Sequence, residues 1–229
     1  MIRLCIFMTL AFSASVSANP LSANPLSTDQ QKLSYSFGQQ MGKLLNQQDT
    51  EYDIDALSLG LTDALTKQPA RLSQKDMQGL LMQFQTAQLQ KAQTAKQSKA
   101  KNNQQIGDAF LANNKTQADV VALPSGLQYQ IIKTGTGQSP TATSTVVTHY
   151  KGTLIDGTVF DSSYARGKPL EFKLNGVIKG WTEALQLMKP GAKWKIFVPP
   201  HLGYGAHGVG NTIGPNATLL FDIELIAVK

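Results

Sequence analysis

The chain has 229 residues, a formal net charge of +6 from 21 basic and 15 acidic side chains, and one cysteine. Apolar residues make up 41% and charged residues 16%, a composition that excludes a highly charged disordered chain and favours a folded protein. A single cysteine excludes an internal disulfide framework, and together with three scattered histidines it argues against a metal centre. Most of the basic excess lies in residues 124–229 without forming a dense cluster, so no nucleic-acid partner is expected.

The N-terminus has the pattern of an export signal. Residues 1–18 combine a basic start at Arg3, an apolar stretch too short to span a bilayer, and the small-residue cleavage pattern Val16-Ser17-Ala18. A buried strand or short helix is the alternative, which the following Asn19-Pro20 disfavours. Residues 19–27 hold a five-residue repeat and are expected to be a flexible leader, with cleavage after Ala23 as a second option. No later apolar run approaches 18 residues, so no transmembrane anchor is expected.

Two amphipathic helices are predicted in residues 28–72. Thr28 and Gln31 form a capping-box pattern before the first apolar stripe, and Asp53 can cap a second helix that ends before Pro69. Both stripes recur at helical spacing. They consist of Leu33, Phe37, Met41, Leu44 and Leu45 in the first helix, and of Ile54, Leu57, Leu61, Ala64 and Leu65 in the second.

Residues 73–115 are predicted to form one long connecting helix. It begins at a second capping-box pattern, Ser73 and Asp76, and its first part has an apolar stripe. From 90 to 105 the only apolar residue type is alanine. A segment that is polar on all sides is either a solvated bridge between domains or not stably helical, and its Ala, Gln and Lys content favours the bridge.

The size of this helical core points to self-association. The two short helices and the apolar first half of the long one make a small core of roughly 60 residues, near the limit at which a lone domain is stable. Pairing two copies would bury the apolar side chains left over, so residues 28–72 are predicted to be a helical dimerisation domain and the protein a homodimer. The alternative is a self-sufficient three-helix unit.

Residues 124–229 have the pattern of a β-rich domain, with 14 of the 19 glycines and seven of the ten prolines. Asp156-Gly157 is a strong hairpin signal, and 181–188 is the one short helical run. An antiparallel sheet covered by one helix follows, which makes the chain α+β. The expected strands are 127–133, 146–154, 170–174, 192–198 and 219–228.

Motifs of covalent or phosphate chemistry are not found. The glycines of 203–208 fit a dinucleotide fingerprint formally, but no helix pattern follows them, and neither a nucleophile elbow nor a phosphate-binding loop is present. No cofactor is therefore expected. The three histidines, His149, His201 and His207, have no metal-ligand spacing and are expected at one strand and two loop positions. What remains is a set of aromatic side chains with one carboxylate, Asp161, among them.

These aromatic residues lie in ordered motifs that resemble the FK506-binding-protein (FKBP) family of prolyl isomerases. The helical part is similar to the macrophage infectivity potentiator (Mip) subgroup, through Ser34-Tyr35-Ser36, Gly42-Lys43 and the Leu123–Tyr129 junction. The resemblance covers nearly the whole chain after the signal. The FKBP-like motifs are Val147–Gly152, Asp156–Ser163, Gly176–Trp181, Tyr204-Gly205 and Ala217–Phe221.

The resemblance implies a twisted antiparallel sheet around one short helix in residues 124–229, with an apolar pocket between them. Trp181 would be the pocket floor, Asp161 would be held by Tyr150 or Arg166, and Ile178 and Tyr204 would donate to substrate carbonyls. Leu170, Val209 and Thr212 differ from residues common in the family and bear on substrate preference and macrolide affinity. The implied catalytic residues are Tyr150, Phe160, Asp161, Trp181, Tyr204 and Phe221, and the implied substrate-binding residues are Arg166, Leu170, Val177, Ile178, Val209 and Ile213.

The implied function is that of a peptidyl-prolyl cis-trans isomerase that assists folding, with chaperone activity as a dimer. Its partners would be proline-containing polypeptides, and macrolides of the rapamycin type would be inhibitors. With the export signal, this predicts a periplasmic or outer-surface protein of a Gram-negative bacterium, and the Mip likeness implies a virulence-type role. The alternative is a non-catalytic chaperone or surface interaction module that binds proline-containing segments.

Overall fold

The computed structural model describes residues 26–48 and 50–229. The predicted signal peptide at 1–18 and most of the leader at 19–27 therefore lie outside the described residues. The chain divides into two compact units, one ending at Gln74 and the other running from Lys75 to Lys229. Within the described residues, no helix is both long and apolar enough to cross a membrane.

Two capped helices make up the first unit, α1 (Asp29–Asn46) and α2 (Ile54–Leu65). The Thr28 hydroxyl accepts from the Gln31 N–H while the Gln31 side chain accepts from the Thr28 N–H, which confirms the predicted capping box. Asp53 caps α2 by accepting from an N–H of its first turn. None of the residues of these two helices is buried, so their apolar stripes face solvent in a single chain.

The second unit contains almost all of the long helix α3 (Gln74–Asn114), which is continuous over 41 residues. The polar segment is helical throughout, and every residue from 90 to 99 is exposed. Closer to its C-terminus the helix packs on the sheet described next, where the rings of Phe110 and Phe197 lie 5.9 Å apart.

The sheet of the second unit is antiparallel, and the described part of the chain contributes seven strands to it. The strands are β1 (Val120–Ala122), β2 (Gln128–Lys133), β3 (Thr145–Leu154), β4 (Val159–Ser162), β5 (Leu170–Lys173), β6 (Lys193–Val198) and β7 (Leu219–Val228). Their order in the sheet is β1-β2-β6-β7-β3-β4, and β5 also pairs with β3.

Strand β3 organises the half of the sheet that carries the site. It pairs with β7 along its whole length. On its other side it pairs first with β5, through 145–148, and then with β4, through 151–153. The predicted hairpin turn at Asp156-Gly157 is present and joins β3 to β4, with Gly157 at φ +87° and its N–H donating to the Leu154 carbonyl at 3.0 Å. Strands β4 and β5 therefore follow one another along the same edge of β3.

Helix α4 (Lys179–Leu187) buries one stripe of side chains against this sheet. Trp181, Ala184, Leu185 and the adjoining Met188 recur every three or four residues and are all buried. The facing strand β7 alternates buried and part-exposed residues, as a half-buried strand does. The α+β fold class, with its helical N-terminal part, long helix and antiparallel sheet on one short helix, is confirmed.

The sequence pattern missed two strands and misplaced one helix end. The three residues of β1 (Val-Val-Ala) and the four of β4 (Val-Phe-Asp-Ser) do not alternate apolar and polar side chains, unlike the equally short β5 (Leu-Glu-Phe-Lys), which was predicted. Two short 3-10 helices, Leu174–Gly176 and Pro200–Leu202, were also not predicted. Helix α4 begins at Lys179, two residues before the expected start, since Ile178 is its N-cap residue without a side-chain cap that a sequence could reveal.

Candidate active site

A pocket of about 560 Å³ lies between α4 and the sheet. Its volume falls within the range of about 300–1,000 Å³ that is typical of sites for small ligands. The lining is mainly aromatic and aliphatic. It consists of Tyr150, Phe160, Asp161, Leu170, Phe172, Gly176, Val177, Ile178, Trp181, Tyr204, Val209, Ile213 and Phe221.

Trp181 lines this pocket and is 5% exposed. Its ring meets Tyr150 edge-to-face at 5.0 Å and 85°, and Phe221 edge-to-face at 5.2 Å and 82°. Phe160 meets Phe221 in the same way at 5.5 Å and 86°. Edge-to-face pairs are a preferred aromatic geometry, so each ring fixes the orientation of the next. The Trp181 indole N–H has no hydrogen-bond partner among the described residues.

Three polar side chains meet at one edge of the pocket, here called the rim cluster: Tyr150, Asp161 and Arg166. The Tyr150 hydroxyl donates to Asp161 Oδ2 at 2.5 Å. Arg166 donates to the other oxygen of Asp161 and, at 2.7 Å, to the Tyr150 hydroxyl. The sequence left open whether Tyr150 or Arg166 holds Asp161, and in the structure both do.

In the rim cluster Asp161 and Arg166 are ionised, whereas Tyr150 is neutral. Burial acts to raise the pKa of Asp161, but hydrogen bonds from Tyr150 and Arg166 and the guanidinium charge outweigh it, so this pKa lies below its ordinary value. Burial, followed by the hydrogen bond to Asp161, raises the pKa of Tyr150. The hydrogen bond to Asp161 is the main cause of the raised pKa of Arg166. At neutral pH the cluster therefore carries one negative and one positive charge.

Ser163 connects the rim cluster to strand β3 through hydrogen bonds to the Tyr150 backbone. Its buried hydroxyl accepts from the Tyr150 N–H at 2.8 Å and donates to the Tyr150 carbonyl at 3.2 Å. The same hydroxyl lies 2.9 Å from Nδ1 of His149, whose ring stacks on Tyr164 at 4.6 Å. Because Ser163 follows Asp161 by two residues, these contacts fix the carboxylate relative to Tyr150.

Ile178 and Tyr204 also line the pocket. Ile178 is the N-cap residue of α4, and its carbonyl accepts from the Trp181 N–H at 3.0 Å. Tyr204 follows the 3-10 helix Pro200–Leu202 and is 38% exposed. Burial and then the Asp161 charge raise the pKa of Tyr204, so its hydroxyl keeps its proton and can donate.

The structure brings the predicted site residues together at this one pocket. Eleven of the twelve line it, and the twelfth, Arg166, contacts two of them through the rim cluster. Two lining residues were not predicted, Phe172 and Gly176. Phe172 packs partly buried against the hydrophobic core and also lines the pocket, with its ring 5.5 Å from that of Trp181. Of the histidines, His149 lies in β3 and His207 in a turn, as expected, whereas His201 lies in the 3-10 helix Pro200–Leu202 and not in a loop.

The pocket suits binding and desolvation of an apolar group with hydrogen bonding at its edge. Its lining in the described structure contains no Ser, Thr, Cys, His or Lys side chain that could act as a nucleophile or general base. The charged groups are already paired with each other. These features fit a reaction without a covalent intermediate.

Comparison with known proteins gives the family. The model for "FKBP-type peptidyl-prolyl cis-trans isomerase" matches residues 136–226, and that for "Domain amino terminal to FKBP-type peptidyl-prolyl isomerase" matches 30–131. The chain is 46% identical over 222 residues to the Outer membrane protein MIP of Legionella longbeachae, covering 97% of this chain and 94% of that protein. It is 47% identical over 208 residues to the Peptidyl-prolyl cis-trans isomerase Mip of Coxiella burnetii, covering 91% and 90%.

A solved structure supports the same assignment. The crystal structure of FkpA from Escherichia coli superposes with a TM-score of 0.72 at 38% identity, covering 89% of this chain and 98% of that one. The chain therefore belongs to the FKBP-type peptidyl-prolyl cis-trans isomerases, enzymes that accelerate rotation about the bond preceding proline. Within that family it is similar to Mip proteins along nearly its whole length.

Proposed function

We propose that the isomerase reaction takes place over Trp181, with the proline ring in the aromatic pocket and the preceding amide at its mouth. The supporting observation is the combination of an aromatic floor with the rim cluster at one edge. The proposed catalytic residues are the rim-cluster residues Tyr150 and Asp161 with Phe160, Trp181, Tyr204 and Phe221. Arg166, Leu170, Val177, Ile178, Val209 and Ile213 are proposed to contact the rest of the substrate.

Rotation about this bond is slow because amide resonance gives a barrier of about 18–20 kcal/mol. The resonance form is charge-separated, so it is stabilised by water around the carbonyl oxygen. An apolar pocket removes that water and disfavours the planar amide relative to the twisted one. A donor that is positioned for the twisted amide adds stabilisation in the transition state only, which is what raises the rate.

The donors proposed for the substrate are the Ile178 N–H and the Tyr204 hydroxyl. Both belong to residues that line the pocket, and the raised pKa of Tyr204 keeps its hydroxyl protonated. Asp161 is proposed to hold Tyr150 in place and to present a local negative charge at the edge of the proline site. None of these roles requires a bond to be made to the substrate.

The Tyr204 role can be tested by removing one oxygen atom. The Tyr204→Phe variant should lower kcat/KM for a short X-Pro peptide by roughly three- to tenfold, the effect of losing one hydrogen bond. Tyr164→Phe is the matched control, since Tyr164 is also partly exposed but does not line the pocket. Equal activity of the two variants would remove Tyr204 from the mechanism, and a wild-type rate no faster than the spontaneous one would refute catalysis itself.

We also propose that two copies pair through the helical N-terminal region. Phe37 and Leu44 of α1 are 64% and 57% exposed, and Ile54 and Leu65 of α2 are 67% and 74% exposed. Such stripes on a soluble protein mark an interface when they are contiguous. A second copy of the same chain would cover them by presenting the same apolar face.

A single charge on this face tests the dimer. Phe37→Glu should halve the molar mass measured by light scattering on the mature chain, because a carboxylate would be buried unpaired at the interface. At 100° per residue Gln39 lies on the opposite face of α1, so Gln39→Glu is the matched control and should leave the mass unchanged. A wild-type protein with the mass of one chain would refute the proposal.

Chaperone activity toward proline-containing clients is proposed as a property separate from catalysis. The dimer would hold two pockets near one client, and binding does not require the rim cluster to be intact. Suppression of client aggregation should therefore persist in Asp161→Asn while kcat/KM falls. Loss of both together would tie the chaperone effect to catalysis.

Export to the periplasm or outer surface is proposed from the signal pattern at 1–18 and the likeness to the Outer membrane protein MIP. N-terminal sequencing of protein from periplasmic extracts should show a start after Ala18, or after Ala23. An intact N-terminus at Met1 would contradict export.

Macrolide binding to the aromatic pocket is proposed from the family resemblance, and inhibition by rapamycin in the peptide assay tests it.

A further inference from the structure

The 203–218 loop carries three of the pocket-lining residues, Tyr204, Val209 and Ile213. None of its residues belongs to a helix or strand in the described structure. Val209 and Ile213 exchange backbone hydrogen bonds of 2.9 and 3.3 Å, and the Asn216 N–H donates to the Gly205 carbonyl at 2.8 Å. These few bonds shape the loop, but its position over the pocket depends on what it packs against.

The C-terminal part of α3 packs against the far end of this loop. Lys99, Asn103 and Gly107 are spaced by four residues and therefore share one face of the helix, here called the 99/103/107 face. The Asn103 amide donates to the Pro215 carbonyl at 2.8 Å. A Cβ built on Gly214 would lie 2.8 Å from Lys99 Cε and 3.0 Å from Asn103 Nδ2. Helix and loop are in van der Waals contact at consecutive turns.

Gly107 makes the closest approach. It is the one buried residue of α3. A Cβ built on it would lie 2.4 Å from Thr218 Oγ1, below any normal contact distance. Thr218 is itself buried, so its side chain has little room to move away. The helix can reach the end of the loop only because this position has no side chain.

The last turns of α3 are fixed to the sheet independently of the loop. The Gln128 side chain donates to the Leu111 carbonyl and accepts from the Asn114 amide, both at 2.9 Å. Phe110 packs on Phe197 of β6 in the same stretch. This part of α3 is therefore held in place by the sheet, and the loop packs against it.

We infer that the 99/103/107 face positions the pocket wall formed by the 203–218 loop, with Asn103 as the positioning residue. Its bond to the Pro215 carbonyl holds the loop at the distance that places Tyr204 and Ile213 over the pocket. Pro215 is buried, so without the Asn103 amide its carbonyl would be left unpaired and the loop would shift to satisfy it. The inference rests on the proposed role of this wall in binding the substrate.

The mature chain carrying Asn103→Asp tests the inference. The substitution keeps the shape of the side chain and replaces the donor with an acceptor. Asn102→Asp, at the exposed neighbouring position, makes the same change of charge without the contact and is the matched control. Two quantities are measured: kcat and KM separately, by NMR exchange spectroscopy on an X-Pro peptide, and hydrogen exchange of the Val209 and Ile213 amides.

In Asn103→Asp, KM should rise and loop exchange should accelerate, each by roughly three- to tenfold, with a smaller change in kcat. Asn102→Asp should change neither. Wild-type KM and unchanged loop exchange in Asn103→Asp overturn the inference, and so do equal shifts in the control, since charge would then be the cause. Asn103→Ala, which removes the donor without adding charge, gives the same test if Asn103→Asp does not fold.

Failure of this inference can be told apart from failure of the proposed function. An inactive wild type would refute catalysis in this pocket, and the loop exchange would still decide whether Asn103 holds the loop. An active wild type with an unaffected Asn103→Asp would refute the positioning role alone.

Discussion

Gly152 in β3 is the position where one methyl group should damage the pocket most directly. Its partners across the sheet are Asp161 on β4 and Phe221 on β7. A Cβ built there would lie 2.5 and 2.6 Å from two ring carbons of Phe160 and 3.0 Å from Phe221 Cε1. Carbon atoms pack at about 3.5–4.0 Å, so the Phe160 ring has to move by about 1 Å.

Moving Phe160 disturbs the aromatic wall because its ring is packed edge-to-face on Phe221. Overpacking of this kind costs about 1–3 kcal/mol of stability. A displacement of about 1 Å at an active site lowers the rate by up to about a hundredfold. Gly152→Ala should therefore lower both the free energy of unfolding and kcat/KM, the latter by about ten- to a hundredfold.

Gly135→Ala separates the effect on the pocket from the effect on stability. A Cβ there would lie 2.3 Å from the Lys189 carbonyl oxygen and 2.4 Å from that of Pro190, so it is at least as crowded. Gly135 does not line the pocket. In urea unfolding both variants should be destabilised, and in the peptide assay at 10 °C only Gly152→Ala should be impaired. If both retain the wild-type kcat/KM, the pocket does not depend on the position of the Phe160 ring.

Three further predictions concern the groups that hold the site. The stabilising contribution of Asp161 is complete above its unfolded pKa of about 3.9 and is lost as pH falls through its lowered folded pKa. The free energies of unfolding of wild type and Asp161→Asn, measured in urea, should therefore converge between about pH 7 and pH 2. A difference between them that stays constant over this range would contradict the prediction. Ser163→Ala leaves the Tyr150 N–H without its hydroxyl acceptor and should cost about 1–3 kcal/mol in urea unfolding, with a lower kcat/KM; wild-type stability would show that the bond is replaceable. Gly107→Ala should cost about 1–3 kcal/mol, and adding Thr218→Ala should recover part of it, because the crowded atom is Thr218 Oγ1; additive losses in the double variant would place the strain elsewhere.

Much of the fold could be predicted because its local signals agree with its packing. The capping residues Thr28 and Asp53 marked the helix starts correctly. Period-two alternation found β3 and β7, since each buries every second residue over most of its length. Strand β4 was missed although Phe160 and Asp161 were both singled out, because its sequence Val-Phe-Asp-Ser does not alternate and its conformation comes from pairing with β3.

The remaining site features depend on pairings that a local sequence pattern does not contain. Phe172 reaches the pocket because β5 pairs with β3 in a register that sets it opposite Val146. Arg166 was assigned to Asp161 only through the family resemblance, and it joins the rim cluster through a turn in which its N–H donates to the Ser163 carbonyl at 3.2 Å. Gly107 has no signal at all in the sequence of α3, since the residue that requires it, Thr218, lies in a different part of the chain.

The positions of the two tryptophans allow ligand binding to be followed by intrinsic tryptophan fluorescence. Trp181 lines the pocket, whereas Trp194 stacks on Tyr129 at 4.3 Å and does not line it. Emission from Trp181 should change when a ligand displaces water from its ring face, whereas emission from Trp194 should report mainly on unfolding. With Trp194→Phe, one unlabelled sample could therefore give ligand occupancy by fluorescence without a coupled assay.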